Sequence, residues 1–150
     1  MVGGSAQALI LRPMTGRDLD RLVEIDTQVF GRSRPEYWEL KLELMTRKAP
    51  SASLVAELDG KVVGFIIGGA SGWEYGVPKK VGWIDAIGVD PDYQRRGIAK
   101  MLLTELVGNL KNGGVERIYT FVNWRDWRLL RFFDEMGFRR GDMLNLELKV

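Results

Sequence analysis

The chain has 150 residues, 45% of them hydrophobic and 28% charged, with 22 basic and 20 acidic side chains for a net charge of +2. Such a length predicts one domain spanning 1–150 with a single core, and the near balance of charge argues against a nucleic-acid partner. Cysteine and histidine are both absent, which excludes disulfides, thiol chemistry, imidazole bases, Ser-His and Cys-His arrangements and the commonest zinc ligand.

From the start, "MVGGSAQALILRP" has no cationic leader, and its apolar stretch is far too short to span a membrane. A cytoplasmic protein without membrane contact is expected. Residues 8–12 read as a short strand closed by Pro13. Leu19, Leu22, Val23, Ile25, Val29 and Phe30 then recur at helical spacing, with Thr15 placed to cap the helix. "GRSR" breaks this helix, and a second begins at Pro35, where the missing N–H costs nothing. Trp38, Leu42 and Met45 form its apolar stripe, which assigns Trp38 to the core.

"SLVAEL" and "KVVGFIIGGA" flank Asp59-Gly60 and predict a hairpin. Residues 71–80 read as loop, and "VGWIDAIGV" (81–89) as a strand. Ile98, Leu102, Leu106 and Leu110 mark a helix that ends at Gly113-Gly114. A strand at 117–122, a helix stopping at Gly137 and a final strand, "MLNLELKV", complete the chain. The expected order is β-α-α-β-β-β-α-β-α-β. Its strand–helix–strand passage calls for a parallel crossover and its hairpin for antiparallel neighbours. The fold class is therefore α+β: a mixed, mostly antiparallel sheet with a central parallel strand pair and helices on both faces.

The stretch "DPDYQRRGIAK" (90–100) is the most informative one. The first N–H groups of a helix have no intrahelical partner and carry the positive end of its dipole. Arg95 and Arg96 are mildly unfavourable there unless an anion of more than one charge occupies the site, and Gly97 lets such an anion approach the backbone. A pyrophosphate fits. The alternative is a plain glycine turn with two solvated arginines. The phosphate-binding Gly-Lys-Ser/Thr loop and the dinucleotide-binding glycine fingerprint are both missing.

"VDPDYQRRGIAKMLL" closely resembles the signature of the GNAT acyltransferase superfamily, in which a strand ending Val-Asp-Pro leads to Gln/Arg-x-x-Gly-x-Gly/Ala at a helix start. Ala99 holds the last small position. "FFDEMGF" (132–138) and "LRPMTGRDLDRLVEI" resemble the family's closing and opening segments, and the ribosomal-protein alanine acetyltransferases are a closely similar branch. The resemblance implies acetyl-CoA as co-substrate and no metal. It implies that the strands at 81–89 and 117–122 splay apart around the pantetheine arm, which would pair with backbone at Ile87, Gly88 and Val89. The pyrophosphate would sit on Arg95, Arg96, Gly97, Ile98, Ala99 and Lys100. Gly88 marks either close backbone approach or a bulge.

Acetyl transfer to an amine needs a base, and Asp85, inside an apolar strand, is the first candidate; a salt bridge to a basic residue of a neighbouring strand is the competing reading. Glu57 is a weaker candidate, and Tyr119 ranks below Asp85. Two departures from the family stand out. Phe133 occupies the place of a frequent tyrosine acid, and Asp126 replaces an asparagine that often contacts the cofactor, leaving Asn123 to supply a polar contact. Asp126 could instead cap the last helix. Tyr37, Trp73 and Tyr75, with acidic Glu36, Glu39 and Glu74, are candidates to line the acceptor site. The expected activity is acetyl-CoA-dependent N-acetyl transfer by direct attack of a primary amine on a protein, peptide or small molecule. The alternative is a non-catalytic acyl-CoA sensor or partner module, favoured by Phe133. A homodimer stays open.

Overall fold

The computed structural model describes residues 8–47, 52–71 and 80–150. In chain order the elements are β1 (Leu9–Pro13), α1 (Leu19–Phe30), α2 (Pro35–Arg47), β2 (Leu54–Leu58), β3 (Lys61–Ser71), β4 (Val81–Val89), α3 (Ile98–Asn112), β5 (Arg117–Thr120) and α4 (Trp127–Glu135). Short 3-10 turns precede α1 and follow β4. The chain divides into two compact units, Met1–Thr120 and Phe121–Val150.

The first unit carries a five-stranded sheet in the order β1-β2-β3-β4-β5. The first four strands are antiparallel neighbours and β4 pairs with β5 in parallel, α3 supplying the crossover. The parallel pair lies at one end of this sheet rather than in its centre, because the described residues contain no strand beyond β5. Asp59 and Gly60 both take positive φ (50° and 80°), the geometry of the tight hairpin turn between β2 and β3. At the start of α1 the Asp18 carboxylate accepts the Thr15 N–H at 2.9 Å and pairs with Arg12 at 2.7 Å.

Helices cover both faces of the sheet. On one face Leu22 and Ile25 of α1 and Trp38 of α2 pack with Phe65 and Ile67 of β3. Trp38 is fully buried and meets Phe65 edge-on, with ring centroids 4.8 Å apart. Burial of such a side chain stabilises by roughly 1.5–3 kcal/mol, partly offset because its buried Nε1 has no hydrogen-bond partner. On the other face the glycines of β3 and β4 bring α3 close. A Cβ on Gly64 would meet Ile98 at 3.1 Å, and one on Gly82 would meet Leu110 at 2.8 Å.

The second unit holds α4, whose N-cap Asp126 accepts the Leu129 N–H at 3.1 Å. Phe133 is buried there, its ring 5.4 Å from Phe132 and 4.9 Å from Phe138. The expected final strand is a correction. Residues 143–150 form no ladder, and Leu144, Leu146 and Leu148 are 83%, 84% and 84% exposed. Alternation specifies a strand only when a neighbour takes its hydrogen bonds, and among the described residues none pairs with this segment.

Candidate active site

Asp85 is the extra residue of a β-bulge. Ile67 pairs with Ala86 and Gly68 with Ile84, so β4 holds one residue more than β3 at this point. The parallel ladder to β5 runs from Val81–Arg117 to Ile84–Thr120 and stops immediately before the bulge. From Ala86 to Val89 the strand keeps its partners on β3 but has no strand on its other side among the described residues. Such an edge offers backbone donors and acceptors to an extended, amide-bearing ligand. Ile87 is half-buried here, while Gly88 and Val89 are buried.

Gly88 has a packing reason. It lies opposite Phe65 in the ladder, and a Cβ at this position would stand 2.8 Å from two ring carbons of Phe65. The bulge sits three residues earlier, at Asp85, so a bulge does not account for this glycine.

Beyond Val89 the chain is tied down before it enters α3. Asp90 is buried, its N–H bonded to Val63 O at 2.8 Å, and its carboxylate accepts the Asp92 N–H at 2.9 Å and pairs with Arg21. Burial opposes ionisation of Asp90, but the bonds from Asp92 N–H and Arg21 outweigh it and hold its pKa below the usual range. Gln94 Nε2 donates to Val89 O at 3.1 Å. Arg95 and Gly97 then take positive φ, 64° and 77°, and Gly97 caps α3. The Met101 N–H closes the first helical turn on Gly97 O at 3.0 Å. The N–H groups of Ile98, Ala99 and Lys100 therefore precede the helical ladder.

Nothing lies within 4 Å of a Cβ built on Gly97, and Arg95, Arg96 and Lys100 are exposed around it. Arg96 rests over the Tyr93 ring at 5.1 Å, with Lys61 over the same ring at 5.6 Å. Open space, unbonded N–H groups and four cations fit a pyrophosphate. Ile98 turns its side chain into the core and Ala99 is half-buried, so their contribution to an anion is backbone only.

The carboxylate of Asp85 is 43% exposed and accepts from Lys41 Nζ at 2.7 Å. The salt bridge weighed against a catalytic role is thus formed, with a helical lysine rather than one on a neighbouring strand. Tyr37, one turn earlier on α2, lies 5.6 Å from Lys41 Nζ through its ring. Burial, reinforced by the Asp85 charge, pushes the Tyr37 phenol up to about 12. It therefore stays protonated at neutral pH. Sequence reading treated Tyr37 only as an acceptor-site aromatic; no local pattern signals its coupling to Asp85. Glu57 pairs with Arg12 at 3.4 Å, and Tyr119 packs its ring 5.2 Å from Trp83.

In the second unit, Asn123 Oδ1 accepts the Arg125 N–H at 2.9 Å, and Asp126 caps α4. Both side chains have a local structural task. Trp73, Glu74 and Tyr75 lie outside the described residues.

A mixed sheet whose parallel pair parts at a bulge, followed by a glycine turn into an anion-ready helix, is the framework of an acyltransferase fold. Residues 19–138 match the acetyltransferase (GNAT) family, and the chain belongs to it. It is 27% identical over 132 residues to a mycothiol acetyltransferase of Thermomonospora curvata, covering 83% of this chain and 42% of that one. The chain thus spans less than half the length of that relative. Among solved structures, the aminoglycoside N-acetyltransferase AAC(6')-Iy in complex with CoA superposes with a TM-score of 0.82 at 17% identity, over 99% of each chain. The ribosomal-protein-alanine N-acetyltransferase of Brucella melitensis gives 0.74 at 22% identity, over 95% of this chain and 100% of that one. The PaiA N-acetyltransferase of Thermoplasma acidophilum, also solved with coenzyme A, gives 0.70 at 19% identity, over 91% and 92%.

Proposed function

We propose that this protein is an acetyl-CoA-dependent N-acetyltransferase acting on a primary amine of a peptide, protein or small molecule. The observation that carries the reading is the end of the β4–β5 ladder at Ile84–Thr120, beside the Asp85 bulge. It leaves an open backbone edge leading to the Arg95–Lys100 anion site. The family match extends from 19 to 138, which supports one acetyltransferase domain over 1–150.

In this reading the backbone of Ile87, Gly88 and Val89 binds the pantetheine amides. The N–H groups opening α3, with Arg95, Arg96 and Lys100, bind the pyrophosphate. Asn123 and Asp126 each give Oδ1 to a local backbone N–H, which leaves the Asn123 Nδ2 amide as the donor for a polar contact with the cofactor. Asp85 receives the acceptor amine, exchanging the ammonium of Lys41 for that of the acceptor, and takes its proton. The neutral amine attacks the thioester carbonyl, a C–N bond forms, the C–S bond breaks, and CoA departs as thiolate or thiol. A thiol with an ordinary pKa of about 8.5 is a competent leaving group, so the lack of a tyrosine at Phe133 does not prevent the step.

The second reading, an acyl-CoA-binding module without turnover, is favoured by the same Phe133 and by the Lys41–Asp85 pair. One experiment separates them: acetyl-CoA binding by calorimetry, alongside CoA release across a panel of amines and peptide N-termini. Binding with saturable release is expected. Binding with silence across the panel supports the sensor, and no binding removes both readings.

A further inference from the structure

Lys41 already stands where an acceptor amine has to dock. Its Nζ lies 2.7 Å from Asp85 Oδ2, at the bulge where the β4–β5 ladder ends. The Tyr37 ring centroid is 5.6 Å from the same Nζ, so the ammonium meets one carboxylate and one aromatic ring. That ring is held in place. It packs edge-on to the buried Trp38 ring at 5.6 Å, and the Arg34 guanidinium lies over it at 4.2 Å. Arg34 is in turn anchored by a 2.7 Å bond to Asp26, a buried carboxylate of α1. The Lys41 and Asp85 side chains are 26% and 43% exposed, so their pairing adds little to stability. Stability alone gives little reason to order a long, flexible side chain at this carboxylate.

Building on the acetyl-transfer reading, on which it rests, we propose that Lys41 is itself an acetyl acceptor, modified within its own chain. In that reading the pyrophosphate binds beyond Val89 and the pantetheine amides along Ile87 to Val89. This order directs the acyl end toward Ala86 and Asp85. The Lys41 ammonium must lose a proton before its nitrogen can attack, and Asp85 is the group in contact to receive it. The neutral nitrogen forms a C–N bond with the thioester carbonyl carbon. The C–S bond then breaks, and the sulfur leaves with the electron pair. The nitrogen sheds a second proton as the amide forms. One of the two protons ends on the CoA thiol and the other is released to solvent. The acetylated side chain carries no charge, so it gives up the ion pair and leaves Asp85 open to a second amine. Modification of Lys41 is thus a first turnover that clears the site.

The test uses the full chain with acetyl-CoA and no added amine, and follows each lysine by peptide mass analysis. Lys41 should gain one acetyl group well ahead of Lys111, which is exposed on α3. Its rate constant should not change with protein concentration, as befits a reaction within one chain. Asp85→Asn should slow this labelling by about 10²–10⁴-fold. Lys41→Arg, which keeps the charge but offers no amine to acylate, should remove the fast label altogether. Calorimetry on the same samples reports acetyl-CoA binding independently of any transfer. An unlabelled Lys41 in protein that binds acetyl-CoA overturns the proposal, and CoA release to an added amine in that sample leaves the acetyl-transfer reading standing. Absence of acetyl-CoA binding removes both. Equal labelling of Lys111, a rate that grows with protein concentration, or an unimpaired Asp85→Asn each overturns the proposal as well.

Discussion

Lys41 holds its ammonium 2.7 Å from the Asp85 carboxylate, joining helix α2 to the one residue that β4 carries in excess of β3. The side chains are 26% and 43% exposed, so the pair contributes at most about 1 kcal/mol to stability. Asp85→Asn should therefore unfold at nearly the parent's denaturant midpoint while losing about 10²–10⁴-fold in turnover. Lys41→Met should keep turnover and lower KM for a cationic acceptor by roughly two- to five-fold, the equivalent of one exposed ion pair. Full activity in Asp85→Asn would reduce the carboxylate to a salt-bridge partner.

Gly97, with φ at 77° and free space where a side chain would begin, is suited to a ligand rather than to packing. Gly97→Glu should abolish CoA binding, through both bulk and like charge. Its backbone strain should cost about 1–2 kcal/mol. Gly97→Asn, whose side chain tolerates the left-handed region, is the control for strain and should retain more affinity. Equal CoA affinity in parent and Gly97→Glu, measured by calorimetry, would put the pyrophosphate elsewhere.

Gly88 separates packing from ligand approach. Because a Cβ would stand 2.8 Å from the Phe65 ring, Gly88→Ala should destabilise by about 1–3 kcal/mol. Adding Phe65→Leu should recover part of that loss, a coupling that a double-mutant cycle reads directly. If Gly88→Ala instead leaves the melting temperature alone and removes CoA binding, close ligand approach is the reason for the glycine.

Two buried carboxylates set the acid limit. In Asp18 and Asp90 burial opposes ionisation, yet bonds from Arg12 and the Thr15 N–H to the former, and from the Asp92 N–H and Arg21 to the latter, hold both pKa values below the ordinary one. A carboxylate depressed in the folded state contributes stability above its unfolded pKa of about 3.9, and loses it as pH falls through the folded value. Urea midpoints should thus be insensitive to these groups from pH 7 to about 5 and decline below about 4. Asp90→Asn should lose about 1.5–3 kcal/mol at neutral pH and show a shallower acid decline. An unchanged acid slope would mean that other groups govern it.

Local chemistry was enough to fix much of this protein from sequence. Asp59-Gly60 specified its turn, Pro35 the start of α2, Gly97 the entrance of α3 and Asp126 the cap of α4, because each depends on backbone preferences within a few residues. The family likewise followed from one contiguous stretch, 89–103. Tertiary structure alone decided what depends on partners distant in sequence. A side chain at Gly88 would meet Phe65 because β3 lies across the ladder; Asp85 is paired because α2 brings Lys41 to it; and the β4–β5 ladder ends where a bulge against β3 interrupts it. Segment 143–150 has the right period for a strand and forms none, since alternation specifies which face is apolar but not which edge supplies the hydrogen bonds.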